Sequence, residues 1–180
     1  MSSSGEKLLR VESPLAPVVD DTCVVLLLGT MPSPVSRARG IHYGNPQNRF
    51  WPTMAALWGC DVPATAEGKR ALCLEHHIAL DDVLLACSIK GAQDASIENP
   101  EPNDLGRILS RAPIRKIFCT GSAAYKLYGT YIEPTVGILA HKLPSTSPAN
   151  ARWSQEALIE AYAPVREAVL EAYPEEGHGH

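Results

Sequence analysis

The sequence lacks any apolar run approaching the roughly 20 residues that a membrane-spanning helix needs. Its longest run, Cys23 to Leu28, has the length of a β-strand. The segment Met1 to Lys7 is polar and has no apolar stretch of the kind found in signal peptides. We therefore expect a cytoplasmic protein without a membrane partner, associated with the nucleoid if its source is a prokaryote.

The sequence also has fewer basic than acidic residues. The 16 basic residues are outnumbered by 20 acidic ones, which gives a formal net charge of −4. Proteins that bind nucleic acid mainly through phosphate charge are usually basic. Any nucleic-acid role must therefore depend on a local face and on backbone amides.

The five cysteines lack the pattern of a disulfide framework or a metal site, because their number is odd and no C-x-x-C pair exists. Three of them, Cys23, Cys87 and Cys119, lie in apolar segments, where a free thiol packs as a small hydrophobe. We expect reduced core thiols, no metal and no cofactor. The histidines of segment 174–180 could bind a metal ion, but a flexible tail is the expected state.

Several nucleotide-binding and hydrolase motifs are missing too. The sequence has no G-x-x-x-x-G-K-[ST], no G-x-G-x-x-G after its first apolar strand, no G-x-S-x-G and no H-E-x-x-H. These absences disfavour P-loop and dinucleotide binding, a serine-hydrolase elbow and a zincin-type metal site.

Apolar strands alternate with amphipathic helices, which predicts the α/β class. We expect a three-layer α/β/α sandwich around a four-stranded, mainly parallel sheet, formed by one domain over 22–173 that follows an extended N-terminal segment, 1–21. Pro164 is expected to kink or split the last helix. The predicted strands are Cys23 to Leu28, Ile78 to Ala86, Lys116 to Thr120 and Val136 to Leu143. The predicted helices begin near Phe50, Gly68, Asp104, Ser122 and Leu158.

Ligands of such sheets bind outside the carboxyl ends of the strands. The turn Gly29 to Pro32, the segment Thr120 to Ser122 and the loop Leu143 to Asn150 all leave strands at that edge. Asp81 and Asp82 end another strand, although alternation points one of them away from the site. The sequence therefore predicts one site where these segments converge.

Two segments resemble motifs of a known family. The turn Gly29 to Pro32 (GTMP), with Tyr43 to Trp51 (YGNPQNRFW), resembles the first motif of the uracil-DNA glycosylase superfamily. The segment Leu143 to Asn150 (LPSTSPAN) resembles its second motif, a loop that enters the DNA minor groove. The residues of both motifs, and those of the segment Ile78 to Ile97, are similar to sequences of the deoxyinosine (hypoxanthine) DNA glycosylase branch.

The resemblance implies a monofunctional enzyme that flips a deaminated base, hypoxanthine foremost, out of DNA and hydrolyses its N-glycosidic bond. Its partner would be double- or single-stranded DNA with a damaged base, and it would act as a monomer. A uracil or mismatch-specific uracil/thymine glycosylase of the same superfamily is the alternative within that class. A non-catalytic nucleic-acid or nucleotide-binding module stays open, because Thr30 or Met31 stands where other branches place a catalytic Asp or Asn.

The resemblance also implies roles for individual residues. Backbone groups of Gly29, Thr30, Met31 and Pro32 would read the edge of the flipped base, and Tyr43 would stack on it. Asn48 would be the catalytic side chain, holding water or the departing base. Its rival role is to cap the helix that begins near Phe50.

A further set of residues is implied in DNA binding. Hydroxyl groups can hold phosphates without adding positive charge, although simple turn chemistry accounts for them equally well. The last three residues of this set would fill the gap that the flipped base leaves. The residues are Ser122, Ser145, Thr146, Ser147, Ala149, Asn150 and Arg152. Four arginines flank the expected mouth of the site and would form a basic local face: Arg37, Arg39, Arg49 and Arg152.

Overall fold

A computed structural model describes residues 7–174. Its strands are β1 (Leu8–Glu12), β2 (Val25–Gly29), β3 (Ile78–Asp82), β4 (Leu84–Lys90), β5 (Glu98–Pro102), β6 (Lys116–Thr120) and β7 (Ala140–Leu143). Its α-helices are α1 (Pro34–Arg39), α2 (Phe50–Trp58), α3 (Ala66–Glu75), α4 (Gly106–Leu109), α5 (Ser122–Tyr131), α6 (Glu133–Val136) and α7 (Gln155–Ala172). A short 3-10 helix covers Asp94–Ser96. Most of the tail predicted over 174–180 lies outside the described residues.

A parallel sheet forms the centre of the molecule, with the strand order β3-β2-β6-β7. Strand β2 is buried throughout, because its apolar side chains meet helices on both faces. Leu27 packs with residues of α2, α3 and α7, whereas Leu28 packs on the opposite side with residues of α4 and α5. The three-layer fold around a four-stranded parallel sheet is therefore confirmed.

A second, antiparallel sheet with the strand order β1-β4-β5 was not predicted. The chain predicted as one strand over Ile78 to Ala86 divides at Val83, where β3 ends and β4 begins. Strand β4 then leaves the parallel sheet and pairs with β1 and β5. The N-terminal segment, expected only to extend over the surface, thus contributes a strand.

One helix prediction and one strand prediction need correction, and the structure adds one helix. Pro164 was expected to kink or split the last helix; α7 runs unbroken past it, so the split is wrong and the kink stays a prediction. The first half of the strand predicted over Val136 to Leu143 is wrong, because α6 ends at Val136 and β7 begins only at Ala140. The long loop after β2 contains α1, whose start is capped by the Ser33 hydroxyl.

The described cysteines pack largely as predicted, with Cys23, Cys73, Cys87 and Cys119 buried as free thiols and Cys60 exposed. No helix within residues 7–174 has both the length and the apolarity to cross a membrane.

Candidate active site

A cavity of about 450 Å³ opens at the carboxyl edge of the parallel sheet, within the volume range of small-ligand sites. The ends of β2, β3 and β6 and the loop after β7 meet there, as the sequence predicts. The predicted base-pocket residues Gly29, Thr30, Met31, Pro32 and Tyr43 all line it, as do Asn48, Ser145, Thr146, Ser147 and Ala149.

The first turn is held against the neighbouring strand by backbone hydrogen bonds. The N–H of Val83 donates to the carbonyl of Gly29 at 2.8 Å. The N–H of Leu84 donates to the carbonyl of Thr30 at 3.1 Å. A Cβ atom on Gly29 would lie only 2.7 Å from Oδ1 of Asp82. Glycine is therefore required here, because a carboxyl group occupies the space of a side chain.

Tyr43 stands on the cavity wall with a positive φ of 55°, a conformation uncommon for a side-chain-bearing residue. Its ring stacks on Phe50 with centroids 3.8 Å apart and an 11° interplanar angle. Its hydroxyl lies 2.7 Å from Oγ1 of Thr120. Burial raises the pKa of Tyr43 well above its usual range, so the phenol stays neutral. Because Phe50 covers one ring face, only the other is left for a base.

Beneath the first turn lies a buried pair, His42 and Asp82, which sequence reasoning missed as a pair. Nε2 of His42 is 3.3 Å from Oδ2 of Asp82, and the two side chains are only 3% and 7% exposed. Within residues 7–174 neither atom has a hydrogen-bond partner. Burial is the largest single influence and disfavours the imidazolium, but the close contact with Asp82 and the negative charges of Asp82 and Asp81 together outweigh it and raise the pKa of His42. Both residues line the cavity, and a buried pair whose polar atoms lack hydrogen-bond partners is uncommon in folded proteins.

Asp81 points away from the cavity, as strand alternation requires. Its carboxyl group accepts from Nδ2 of Asn103 at 2.8 Å and from the backbone N–H of Asp82 at 2.9 Å. Burial and the neighbouring charge of Asp82 raise the pKa of Asp81 to about 6. Asp81 thus supports the end of β3 from behind the site.

Asn48 holds two structural elements with one oxygen. Its Oδ1 accepts from the backbone N–H of Phe50 at 2.9 Å and from Oγ1 of Thr146 at 2.8 Å. The backbone N–H can only donate, so the amide orientation is fixed and its NH₂ group remains as a donor. The first contact shows that Asn48 stabilises the start of α2.

The loop after β7 is held by hydrogen bonds of its own residues and by Arg49. Nδ2 of Asn150 donates to the carbonyl of Ser145 at 2.9 Å. The guanidinium of Arg49 donates to the carbonyls of Asn150 and Trp153. Arg49, expected to contribute to a basic face, is thus engaged in holding this loop.

These motifs lie in one cavity of a fold built as the resemblance implied. A family model described as the uracil DNA glycosylase superfamily matches residues 16–169. The chain belongs to the uracil DNA glycosylase superfamily. The superfamily predicted from the two motifs is therefore confirmed.

Relatives within the superfamily carry the name of the branch that the motifs resemble. A protein of Methanosarcina acetivorans named hypoxanthine DNA glycosylase is 32% identical over 139 residues, which cover 77% of this chain and 87% of that protein. One of Methanosarcina barkeri with the same name is 31% identical over 140 residues, 76% of this chain and 86% of that protein. A solution NMR structure from Methanosarcina acetivorans, described provisionally as a uracil DNA glycosylase, superposes with a TM-score of 0.73 at 31% identity, covering 86% of this chain and 96% of that one.

Not every residue proposed for this superfamily member lies in the cavity. Ser122, Asn150 and Arg152 are outside its lining: Ser122 begins α5, and Arg152 is exposed on the loop that leads to α7. These three residues remain candidates for contact with DNA beyond the flipped base.

A second carboxyl group of the cavity was also missed. Asp94 lines it, and Oγ1 of Thr30 donates to its Oδ2 at 3.3 Å. Although the residue is exposed as a whole, the cavity wall removes enough hydration from the carboxyl group to raise its pKa. The available sequence signal was the resemblance of the segment Ile78 to Ile97, which includes Asp94, to the middle region of the hypoxanthine DNA glycosylase branch.

One group of side chains within residues 7–174 has the donor types for a cation: His42, Asp81 and Asp82, with ligand atoms within 4.8 Å of one another. The carboxyl oxygens of Asp81 already accept two hydrogen bonds. We therefore interpret Asp81 as a hydrogen-bonded support behind the His42–Asp82 pair rather than as a metal ligand. Removal of metal ions by a chelator tests this interpretation.

Proposed function

We propose that this chain is a monofunctional DNA glycosylase that flips a deaminated base, hypoxanthine foremost, out of DNA and hydrolyses its N-glycosidic bond. Membership of the superfamily and the names of the two relatives support the reaction class. A cavity large enough for a base, lined by residues of both motifs, supports this location for the active site. The product would be an abasic site.

The carboxyl group of Asp82 carries the proposal. Deamination converts a ring nitrogen that accepts a hydrogen bond, beside a donor amino group, into an N–H donor beside a carbonyl. A carboxylate oxygen accepts hydrogen bonds, so it matches the N–H of a deaminated base and opposes the ring lone pair of adenine. Its Oδ2 lacks a hydrogen-bond partner in the described chain and lies 3.3 Å from Nε2 of His42, whose pKa is raised.

This recognition serves every deaminated base that presents a ring N–H. Uracil shares that group with hypoxanthine, so a uracil-directed glycosylase is the comparison that the experiment must include. Hypoxanthine is placed first because both relatives are named for it.

The leaving base carries developing negative charge, so fixed donors aimed at it lower the barrier. The NH₂ group of Asn48 is such a donor on the cavity wall. The open face of Tyr43 offers a stacking surface for the base. We assign Asn48 to the departing base rather than to water, because its oxygen already accepts two hydrogen bonds and its NH₂ group remains as a donor.

DNA would be held by a few contacts rather than by broad charge, because the chain is net acidic. Hydroxyl groups of Ser145 and Ser147 at the cavity, Ser122 at the start of α5 and the exposed Arg152 are the proposed phosphate contacts. We expect a monomer that acts on DNA in the cytoplasm, at the nucleoid if its source is a prokaryote.

The test uses fluorescent duplexes that hold one hypoxanthine, uracil, xanthine or adenine, followed by alkali to cleave abasic sites. We expect cleavage at hypoxanthine and none at adenine. Faster cleavage at uracil would favour the alternative glycosylase, and a folded protein that cleaves none of them would be a binding module. Asp82→Asn should slow hypoxanthine excision roughly 10- to 100-fold, the scale of one hydrogen bond to a charged group.

A further inference from the structure

Hydrolysis of a glycosidic bond requires more than recognition of the base. A water molecule must approach C1′ of the sugar, and an acceptor must orient it and take its proton. If the proposed function holds, a group of this chain must supply that acceptor.

Asn48 cannot supply it. An amide oxygen has two lone pairs, and Oδ1 of Asn48 already accepts from the N–H of Phe50 and the hydroxyl of Thr146. Only its NH₂ donors remain. Tyr43 is also unsuited, because its phenol is kept neutral and its hydroxyl lies 2.7 Å from Oγ1 of Thr120.

Two carboxyl groups line the cavity within the part of the chain that the structure describes, those of Asp82 and Asp94. Asp82 is 5% exposed and lies beneath Gly29 beside His42, at the deep end where the base would sit. Asp94 begins an exposed 3-10 helix on the connection between β4 and β5. The sugar of a flipped nucleotide stays nearer the mouth than its base, so Asp94 is the carboxyl group on the sugar side.

The Asp94 carboxyl group is positioned rather than loose. Thr30 in the first turn donates to its Oδ2 at 3.3 Å across 64 residues of sequence, which leaves Oδ1 for water. Reduced hydration, followed by the negative charge of Asp82, raises the pKa of Asp94, while the Thr30 hydrogen bond opposes the shift. A carboxylate with a raised pKa is a stronger base than an ordinary one.

We propose that Asp94 is the catalytic carboxylate that orients and deprotonates the attacking water, and that Thr30 is its positioning residue. The water oxygen forms a bond to C1′ as the C1′–N9 bond breaks, and the electron pair of that bond leaves with the base. The water proton passes to Asp94. The departing base takes a proton from solvent.

Asp94→Asn tests the proposal, because it removes the charge and keeps the shape at an exposed position. Single-turnover excision of hypoxanthine at neutral pH should fall about 100-fold or more, the usual contribution of a general base. Glu98→Gln is the matched control, since it removes one negative charge on exposed β5 outside the cavity and should keep the wild-type rate. Affinity for a duplex with a 2′-fluoro-arabino deoxyinosine, which resists hydrolysis, should not weaken in either variant.

The pH profile separates a base from a merely structural residue. The wild-type rate should rise with pH through the titration of Asp94, and this limb should be absent in Asp94→Asn, with an unchanged melting temperature. A wild-type rate and profile in Asp94→Asn would overturn the role of Asp94 while leaving the glycosylase intact. A wild-type protein that excises no base would instead overturn the proposed function, and the role of Asp94 with it.

Discussion

Thr146 donates a hydrogen bond of 2.8 Å to Asn48 across 98 residues of sequence, and this contact joins the two motif loops at the cavity wall. The accepting oxygen also receives the N–H of Phe50. One amide therefore sets the start of α2, the position of the second loop and the direction of its own NH₂ donors.

Asn48→Asp separates these duties, because it keeps an accepting oxygen for Phe50 and Thr146 but removes the NH₂ donor. We expect a melting temperature close to that of the wild type and single-turnover excision reduced about 100-fold, the scale for losing one transition-state hydrogen bond. Asn48→Ala should lose the same activity and also about 1 kcal/mol of stability.

Asn45→Asp controls for the added charge, since it places a carboxylate in the same loop, where Oδ1 of Asn45 accepts from the backbone N–H of Gln47. It should lose far less activity than Asn48→Asp. Normal excision by Asn48→Asp would reduce Asn48 to a structural residue.

Gly29→Ala should damage the site and the fold together. The new Cβ would lie 2.7 Å from Oδ1 of Asp82 and 3.2 Å from the hydroxyl of Tyr43, and both side chains are held by neighbours. We expect a loss of roughly 1–3 kcal/mol in urea unfolding, typical of overpacking, and at least a tenfold slower excision. Gly129→Ala in α5 is the control, because its Cβ would meet nothing closer than 3.8 Å. Equal behaviour of the two variants would mean that Asp82 is free to move.

Much of the fold could be predicted because its signals are local. The continuous apolar run before Gly29 is typical of a strand covered on both faces, and β2 is such a strand. Gly59 ends α2 in the left-handed conformation that glycine favours. The convergence of motif loops followed from the parallel order of the strands alone.

The rest depends on contacts between distant segments. The run from Ile78 onward has no turn residue at Val83, so only pairing with β1 and β5 shows where β3 ends. His42 and Asp82, or Thr30 and Asp94, form pairs only after folding. The one local signal of the His42–Asp82 pair was the carboxyl group of Asp82 at the end of an apolar strand.

Chelation should leave the enzyme active. His42, Asp81 and Asp82 are close enough to hold a cation, but the reaction needs only water, and His42 already has Asp82 as its ion-pair partner. We expect equal excision rates before and after EDTA and gel filtration. Loss of activity, restored by one divalent cation and not by others, would reassign these three residues as a metal site.

Stability should depend on pH through Asp81. Burial and the charge of Asp82 raise its pKa to about 6 in the folded state, so the folded protein binds this proton more tightly than the unfolded chain does. Its stabilising contribution is therefore complete below about pH 4 and is lost as pH rises toward and past 6. We compare the free energy of unfolding of Asp81→Asn with that of the wild type at each pH. The difference, variant minus wild type, should rise by on the order of 3 kcal/mol between pH 3.5 and pH 7. A pH-independent difference would contradict the raised pKa.

Arg49 and Arg152 should behave differently although the sequence predicts that both flank the cavity mouth. Arg152 is exposed, so Arg152→Ala should weaken binding to all duplexes alike and make the salt slope shallower by about one, with an unchanged melting temperature. Arg49 donates to the carbonyls of Asn150 and Trp153, so Arg49→Ala should destabilise the second loop and slow excision at every salt concentration.

Arg49→Lys distinguishes charge from geometry at this position. Lysine keeps the positive charge but lacks the planar fork that serves two carbonyls at once. We therefore expect Arg49→Lys to resemble Arg49→Ala in melting and excision, while both keep the wild-type slope of log affinity against log salt. If Arg49→Lys behaved like the wild type and Arg49→Ala lost one unit of slope, Arg49 would bind phosphate, and the second loop would be held by its own hydrogen bonds, such as that from Asn150 to Ser145.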